Sequence, residues 1–210
     1  RGVKLETSLN LSVEQISGNI LINNPNYNFS DKSLKAGVDI SSTDRSSSSG
    51  FKSSKTGFVL GTGFEQYEDL FFTPEINVAF EEIEVDASAS TAIKNMEGDF
   101  FNIDFTYGLT LDKRDQSWKP TEGYKTTFIQ ALPIIQDSSA IENGLFISTY
   151  HDFTDDIIGS LKFHVRAING LDDDVRLSKR LYISRKSLRG FNTHRVGPRD
   201  GEDWIGGNYT

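Results

Sequence analysis

The sequence predicts an all-β fold, and more specifically an antiparallel transmembrane β-barrel. Apolar and polar residues alternate along most of the 210 residues, which is the period of a strand with one apolar face. Many of these alternating segments run for ten or more residues, long enough for a tilted strand to cross a bilayer. Aromatic residues lie near the segment ends, where an interfacial girdle requires them: Tyr27, Phe29, Tyr67, Phe71, Phe72, Tyr124 and Phe153.

The clearest alternation lies between Phe101 and Leu111. Every odd position there is apolar or aromatic, and every even position is polar or glycine. The same criterion, applied along the chain, predicts strands near 3–12, 15–24, 33–43, 55–66, 70–84, 98–113, 122–134, 144–153 and 157–168, with a tenth beginning near 206.

The links between the predicted strands alternate between short and long. Short links are expected at 66–69 and 154–156, and long links at 44–54, 86–97, 135–143 and 169–205. Outer-membrane barrels have short turns at one end and longer loops at the other. Since no linker divides the chain, we expect a single domain over residues 1–210, an incomplete barrel with a long external loop at 169–205.

The composition argues against several classes of function. The chain has no Cys, which excludes disulfides and thiolate zinc sites. Its net charge of -8 makes nucleic acid a poor partner. The three histidines lack metal-ligand spacing, and Glu81 and Glu82 are expected to form a solvated face at a strand end. We therefore predict no enzyme activity and no cofactor.

One predicted turn, between Asp112 and Gly123, carries a distinctive series of residues. Pro120 fixes its φ angle, and Gly123 supplies a turn conformation before the next strand. The residues of this turn motif are Asp112, Arg114, Asp115, Pro120, Thr121 and Gly123.

A second series lies in the long loop. Leu188, Arg189, Gly190 and Phe191 are followed by Val196, Gly197 and Pro198, and then by Gly206-Gly207-Asn208. With Asn23-Asn24-Pro25-Asn26-Tyr27 and the Asp112–Gly123 turn, these motifs resemble, in order, those of the BamA family of bacterial outer-membrane assembly factors, the bacterial surface antigen family. That family has Val where this chain has Leu188.

The resemblance implies about ten strands of a probable sixteen-stranded barrel, from the third strand into the twelfth. The POTRA domains and the strands of the lateral seam would then lie outside these residues. The implied function is insertion of other outer-membrane proteins in the bacterial outer membrane. The implied partners are unfolded outer-membrane protein clients, assembly-complex lipoproteins and the lipid bilayer. Alternatives are a TamA-type or two-partner secretion barrel, a porin, or a soluble β-sandwich binding domain.

The long loop is also unusual in charge. Residues 176–199 contain no acidic residue but eight basic ones: Arg176, Lys179, Arg180, Arg185, Lys186, Arg189, Arg195 and Arg199. Our hypothesis is that this loop folds back against a locally acidic barrel wall. Arg189 would bind carboxylates with its planar fork, with Asp104 and Asp112 as candidates. Gly190 would allow close backbone approach, and Phe191 would act as a packing anchor.

Overall fold

The computed structural model describes residues 2–210 except 88, 90, 138, 155, 173, 184–186, 192–194 and 202. The described residues form one nine-stranded antiparallel sheet in which the strands lie in chain order. This confirms the predicted all-β fold. The strands are β1 (Lys4–Leu11), β2 (Gln15–Asn24), β3 (Ser33–Arg45), β4 (Phe51–Tyr67), β5 (Leu70–Val85), β6 (Gly98–Asp112), β7 (Gly123–Gln136), β8 (Ala140–Thr154) and β9 (Ile157–Gly170).

One face of the sheet, the outer face, carries an apolar band. A row of paired residues across β3 to β6 consists of Val38, Phe58, Val78 and Ile103. Phe58 in this row is 46% exposed, and no second sheet covers this face within the described residues. An exposed apolar band of this size is typical of a lipid-facing barrel wall and not of a soluble sandwich.

The opposite face, the inner face, is polar. Asn77 of β5 donates a hydrogen bond to Thr106 of β6 over 3.1 Å. Lys35 of β3 forms an ion pair with Glu75 of β5. Polar side chains that bond to one another across strands are expected on the wall of a water-filled lumen.

The apolar band ends at a polar row in which Ser42 pairs with Ser54, Ser54 with Glu82, and Glu82 with Asp99. The strands continue beyond this row, and for that reason β4 begins at 51 and not at 55. At the same end of the barrel, β8 begins at 140 and not at 144. The outer face of β4 is polar here, at Lys52 and Ser54, so its sequence resembles a loop although its backbone remains paired.

The links predicted at 44–54 and 135–143 are consequently short, with only residues 46–50 and 137–139 between strands. The first contains a single helical turn, α1 (Ser46–Ser49). The long links of this end, the loop end, are therefore 86–97, which includes α2 (Thr91–Lys94), and the segment after β9.

The turn end of the barrel has the expected aromatic residues. Tyr67 is the last residue of β4 and Phe153 is the last but one of β8, and they are 69% and 67% exposed. Tyr27 and Phe29 lie at this end in a 3₁₀ turn. Tyr124 begins β7 beside the Asp112–Gly123 turn and is 43% exposed. These positions fit an aromatic girdle at a membrane interface.

The segment after β9 contains a small ribbon formed by β10 (Arg199–Asp200) and β11 (Asp203–Trp204). After it, Tyr209 forms a bridge with Ala167, and the Thr210 amide donates to the Arg166 carbonyl over 3.0 Å. The segment predicted to begin a tenth strand near 206 thus lies beside β9 and is joined to it by a single bridge, at Tyr209. None of the helices in the described ranges is long and apolar enough to cross a membrane.

Candidate loop-docking site on the inner wall

Residues 174–182 of the long loop, named here the docking segment, pack against the inner face near the loop end. Leu177 is 1% exposed and joins a cluster of buried residues that come from β4, β5 and the 86–97 link. Val175 and Leu181 join a second cluster on β8 and β9. Burial of a Leu or Val side chain contributes about 1.5–3 kcal/mol. The partners in the two clusters are Phe51, Ile83, Ala89 and Ile93, and Ala140 and Ile168.

Arg176 is the buried charged residue of the docking segment and is 3% exposed. Its Nη2 donates to Asn102 Oδ1 of β6 over 2.6 Å, and its Nη1 lies 3.6 Å from Glu81 Oε2 of β5. The guanidinium also stacks over Phe100, 4.0 Å from the ring centroid. Nε and Nη1 have no hydrogen-bond partner among the described residues. The arginine is therefore held by one hydrogen bond, one ion pair and one aromatic face.

Two further basic residues fix the docking segment. Lys179 Nζ donates to Gln136 Oε1 of β7 over 3.1 Å. Burial lowers the pKa of Lys179, and the nearby Asp104 carboxylate opposes that shift. Arg180 turns back on its own segment, donating to Asp174 over 2.6 Å and to the Val175 carbonyl over 3.0 Å.

A cavity of about 500 Å³ lies between the docking segment and the wall. Both signs of charge line it, so it can hold water and counter-charges but is not an apolar ligand pocket. Its charged lining residues are Asp39, Lys55, Asp104, Glu142, Arg166, Lys179 and Arg180.

The expectation that Glu81 and Glu82 form one solvated face is wrong for Glu81. Glu82 points outward and is exposed, whereas Glu81 points inward, is 7% exposed and pairs with Arg176. Adjacent residues of a strand face opposite sides. That alternation was the signal in the sequence that could have separated the two carboxylates.

The loop motif lies away from this contact. Arg189 and Gly190 are exposed, and Phe191 is 54% exposed. The described residues give Arg189 no ion pair, so the structure does not bring it to Asp104 or Asp112, and its role stays a prediction. Leu188 and Val196 are half-buried and Pro198 is exposed. Gly190 and Gly197 have φ angles of 89° and 130°, which favour glycine.

The two acidic candidates have other partners. Asp104 of β6 accepts a hydrogen bond from Gln136 and lies among the cations of the cavity. Asp112 lies at the turn end, where Arg114 donates to both of its oxygens over 2.7 Å. Asp112 is thus the last residue of β6, whereas Asp104 lies near the middle of that strand.

The structure brings the turn motif together. Asp115 accepts hydrogen bonds from the Thr121 amide and hydroxyl over 3.0 and 2.9 Å and from the Glu122 amide over 3.2 Å. Pro120 is half-buried after Lys119. Gly123 has a φ of 92°, and a Cβ there would lie 2.9 Å from the Arg114 Cα. The motif therefore closes a ten-residue turn by side-chain hydrogen bonds.

Desolvation raises the pKa of Asp115, but the hydrogen bonds from Thr121 and Glu122 outweigh it and leave the pKa below its usual value. At the same end, the Asp69 carboxylate raises the pKa of Lys113, to which it is joined over 2.6 Å. Charged side chains therefore hold neighbouring turns together.

The comparisons with known proteins agree with this architecture. The sequence profile of the Omp85 superfamily domain matches residues 1–210. Among solved structures, the fold is similar to the crystal structure of BamA from Haemophilus ducreyi lacking POTRA domains 1–3, with a TM-score of 0.84 and 17% identity. That match covers 99% of this chain and 46% of the solved chain, so this chain spans less than half its length. No curated protein matches the sequence.

Proposed function

Because this chain belongs to the Omp85 superfamily, we propose that it forms part of a bacterial outer-membrane barrel that inserts and folds other outer-membrane proteins. The observation that best supports the proposal is the docking segment, which occupies the inner wall and buries Arg176 there. A loop fixed against the inner wall narrows the lumen and leaves less room for passive solute flow. Its wall and strand edges are then the parts that can act on a client.

The proposed mechanism needs no catalytic group, nucleotide or other cofactor. An exposed strand edge can pair with an incoming strand through main-chain hydrogen bonds. Strands β2 to β8 are paired on both sides, so they have no free edge that could pair with a client strand. The templating edge would be supplied at a seam elsewhere in the barrel.

The proposed partners follow from the same scheme. Unfolded outer-membrane proteins would be the clients, and the lipid bilayer would cover the apolar outer face. Assembly-complex lipoproteins would bind the periplasmic side. Nucleic acid is not proposed as a partner, since the chain is acidic overall.

The second candidate is a TamA-type or two-partner secretion barrel, which the docked loop fits equally well. Depletion of the full-length parent protein in its host, followed by quantification of unrelated outer-membrane proteins, separates the two. Broad loss of those proteins, rescued by the wild-type gene, supports the assembly function. Normal levels with loss of one secreted substrate would overturn it in favour of secretion.

A further inference from the structure

We propose that Arg176 is a positioning residue that holds the long external loop against the barrel wall. The contact links the loop to two wall strands, through Glu81 of β5 and Asn102 of β6. The position of the loop can be measured without reference to the function proposed above. Only an effect of this contact on client assembly would depend on that function.

The geometry explains why the residue is an arginine. A guanidinium can stack its flat face on a ring while its edge donates hydrogen bonds, and a lysine cannot do both. The face of the Arg176 guanidinium stacks on Phe100. Its edge donates a hydrogen bond to Asn102 and forms the ion pair with Glu81. Phe100, Asn102 and Glu81 all belong to the wall strands β5 and β6. The Arg176 side chain therefore joins the loop to the wall at one point.

The burial of both charges makes this contact sensitive to loss of either partner. Arg176 is 3% exposed and Glu81 is 7% exposed. When one charge of a buried pair is removed, the other remains desolvated and unpaired, which is strongly destabilising. Release of the docking segment into water relieves that penalty, so loss of either partner favours an undocked loop.

The docking segment also makes hydrogen bonds within itself. Arg180 bonds to Asp174 and to the Val175 carbonyl, which fixes the turn that carries Arg176. Lys179 adds a contact with Gln136 of β7. Arg189 lies 13 residues further along the loop than Arg176 and makes none of these contacts within the described residues.

A cysteine reporter can measure docking in the full-length parent protein. Ser178 is suitable because its Oγ is buried and has no hydrogen-bond partner among the described residues, so Ser178→Cys loses no such contact. This chain has no Cys of its own. Other cysteines of the parent are replaced, and the rate of labelling by a membrane-impermeant maleimide is measured in detergent.

The test variants are Arg176→Gln and Glu81→Gln, which keep side-chain size and remove one charge. We expect each to raise the labelling rate on the order of tenfold or more, as a buried charge loses its partner. Glu75→Gln is the matched control, because Glu75 lies on the same face of the same strand but pairs with Lys35 of the wall. Glu75→Gln should change the rate by no more than about twofold.

Heat-modifiable gel mobility identifies the variants whose barrel is folded, and only these are compared. If Arg176→Gln does not fold, Glu81→Gln tests the same contact from the wall. Unchanged labelling in the folded Arg176 and Glu81 variants would overturn the proposal, as would equal opening by Glu75→Gln. Because labelling does not depend on client assembly, a negative depletion experiment would leave this result intact.

Discussion

Asp112 and Arg114 are joined by two parallel hydrogen bonds, from Nε to Oδ1 and from Nη2 to Oδ2, each 2.7 Å long. The pair joins the last residue of β6 to the turn that follows it. A planar fork that meets a carboxylate in this way fixes direction as well as distance. The pair therefore sets the path by which the chain leaves the wall.

Arg114→Lys should destabilise this turn because an ammonium cannot reproduce the two parallel bonds. We expect a loss of about 1 kcal/mol in the free energy of unfolding, since the pair lies near water, where screening weakens ion pairs. The urea midpoint of the full-length barrel in lipid vesicles measures it. Lys119→Arg in the same exposed turn is the control and should leave the midpoint unchanged.

The Asp115 turn should open at acid pH. The pKa of Asp115 lies below the usual 3.8 in the folded protein. The hydrogen bonds to its carboxylate therefore stabilise the turn fully above the unfolded pKa, and this stabilisation is lost as the pH falls through the folded pKa. Amide exchange of residues 116–122, corrected for intrinsic rates, should rise below about pH 4. Asp115→Asn should remove this pH dependence, and an unchanged dependence in that variant would contradict the assignment.

Gly123→Ala should prevent correct closure of the same turn. A φ of 92° is strained for alanine, at about 1–3 kcal/mol, and its Cβ would in addition overlap the Lys113 carbonyl oxygen. We expect a large fall in the fraction of heat-modifiable barrel. Gly18→Ala is the comparison, because a Cβ there meets its nearest neighbour at an ordinary 3.7 Å.

The two faces of the sheet should respond differently to one substitution. Ile76 lies on the outer face and is 46% exposed, whereas Ile129 lies on the inner face and is 38% exposed. Ile76→Lys should cost about 2–4 kcal/mol because a charge in lipid is poorly solvated. Ile129→Lys should be nearly neutral in the same vesicle refolding titration, and equal losses would argue against the assignment of the lipid face.

The alternation of residues was enough to predict the strands wherever one face meets lipid. From Phe101 to Leu111 the pattern is complete, and β6 covers that segment. Beyond Ser54 the outer face turns polar, and the apolar Phe51 of the inner face is covered by Leu177 of the distant loop and not by lipid. The early start of β4 therefore could not be predicted from periodicity.

The docking site could be predicted only in outline. The basic run identified a loop that needs acidic partners, but Arg176 and Glu81 are 95 positions apart. Which of eight basic residues meets which carboxylate depends on the path of the loop, and that path is set by Val175, Leu177 and Leu181 as they enter two apolar clusters. Residue type indicated the chemistry, and packing selected the residue.

The strands that extend beyond the polar row form the rim of the barrel at the loop end. Residues 51–54 of β4, at about 3.3 Å each and with the usual tilt, raise the rim roughly 10 Å above the apolar band. The rim is built from hydrogen-bonded strands, which makes it stiff. If the loop end faces outward, as the proposed function requires, a ligand that binds this rim would contact folded strands, and a short unfolded peptide of the same sequence would be a poor substitute.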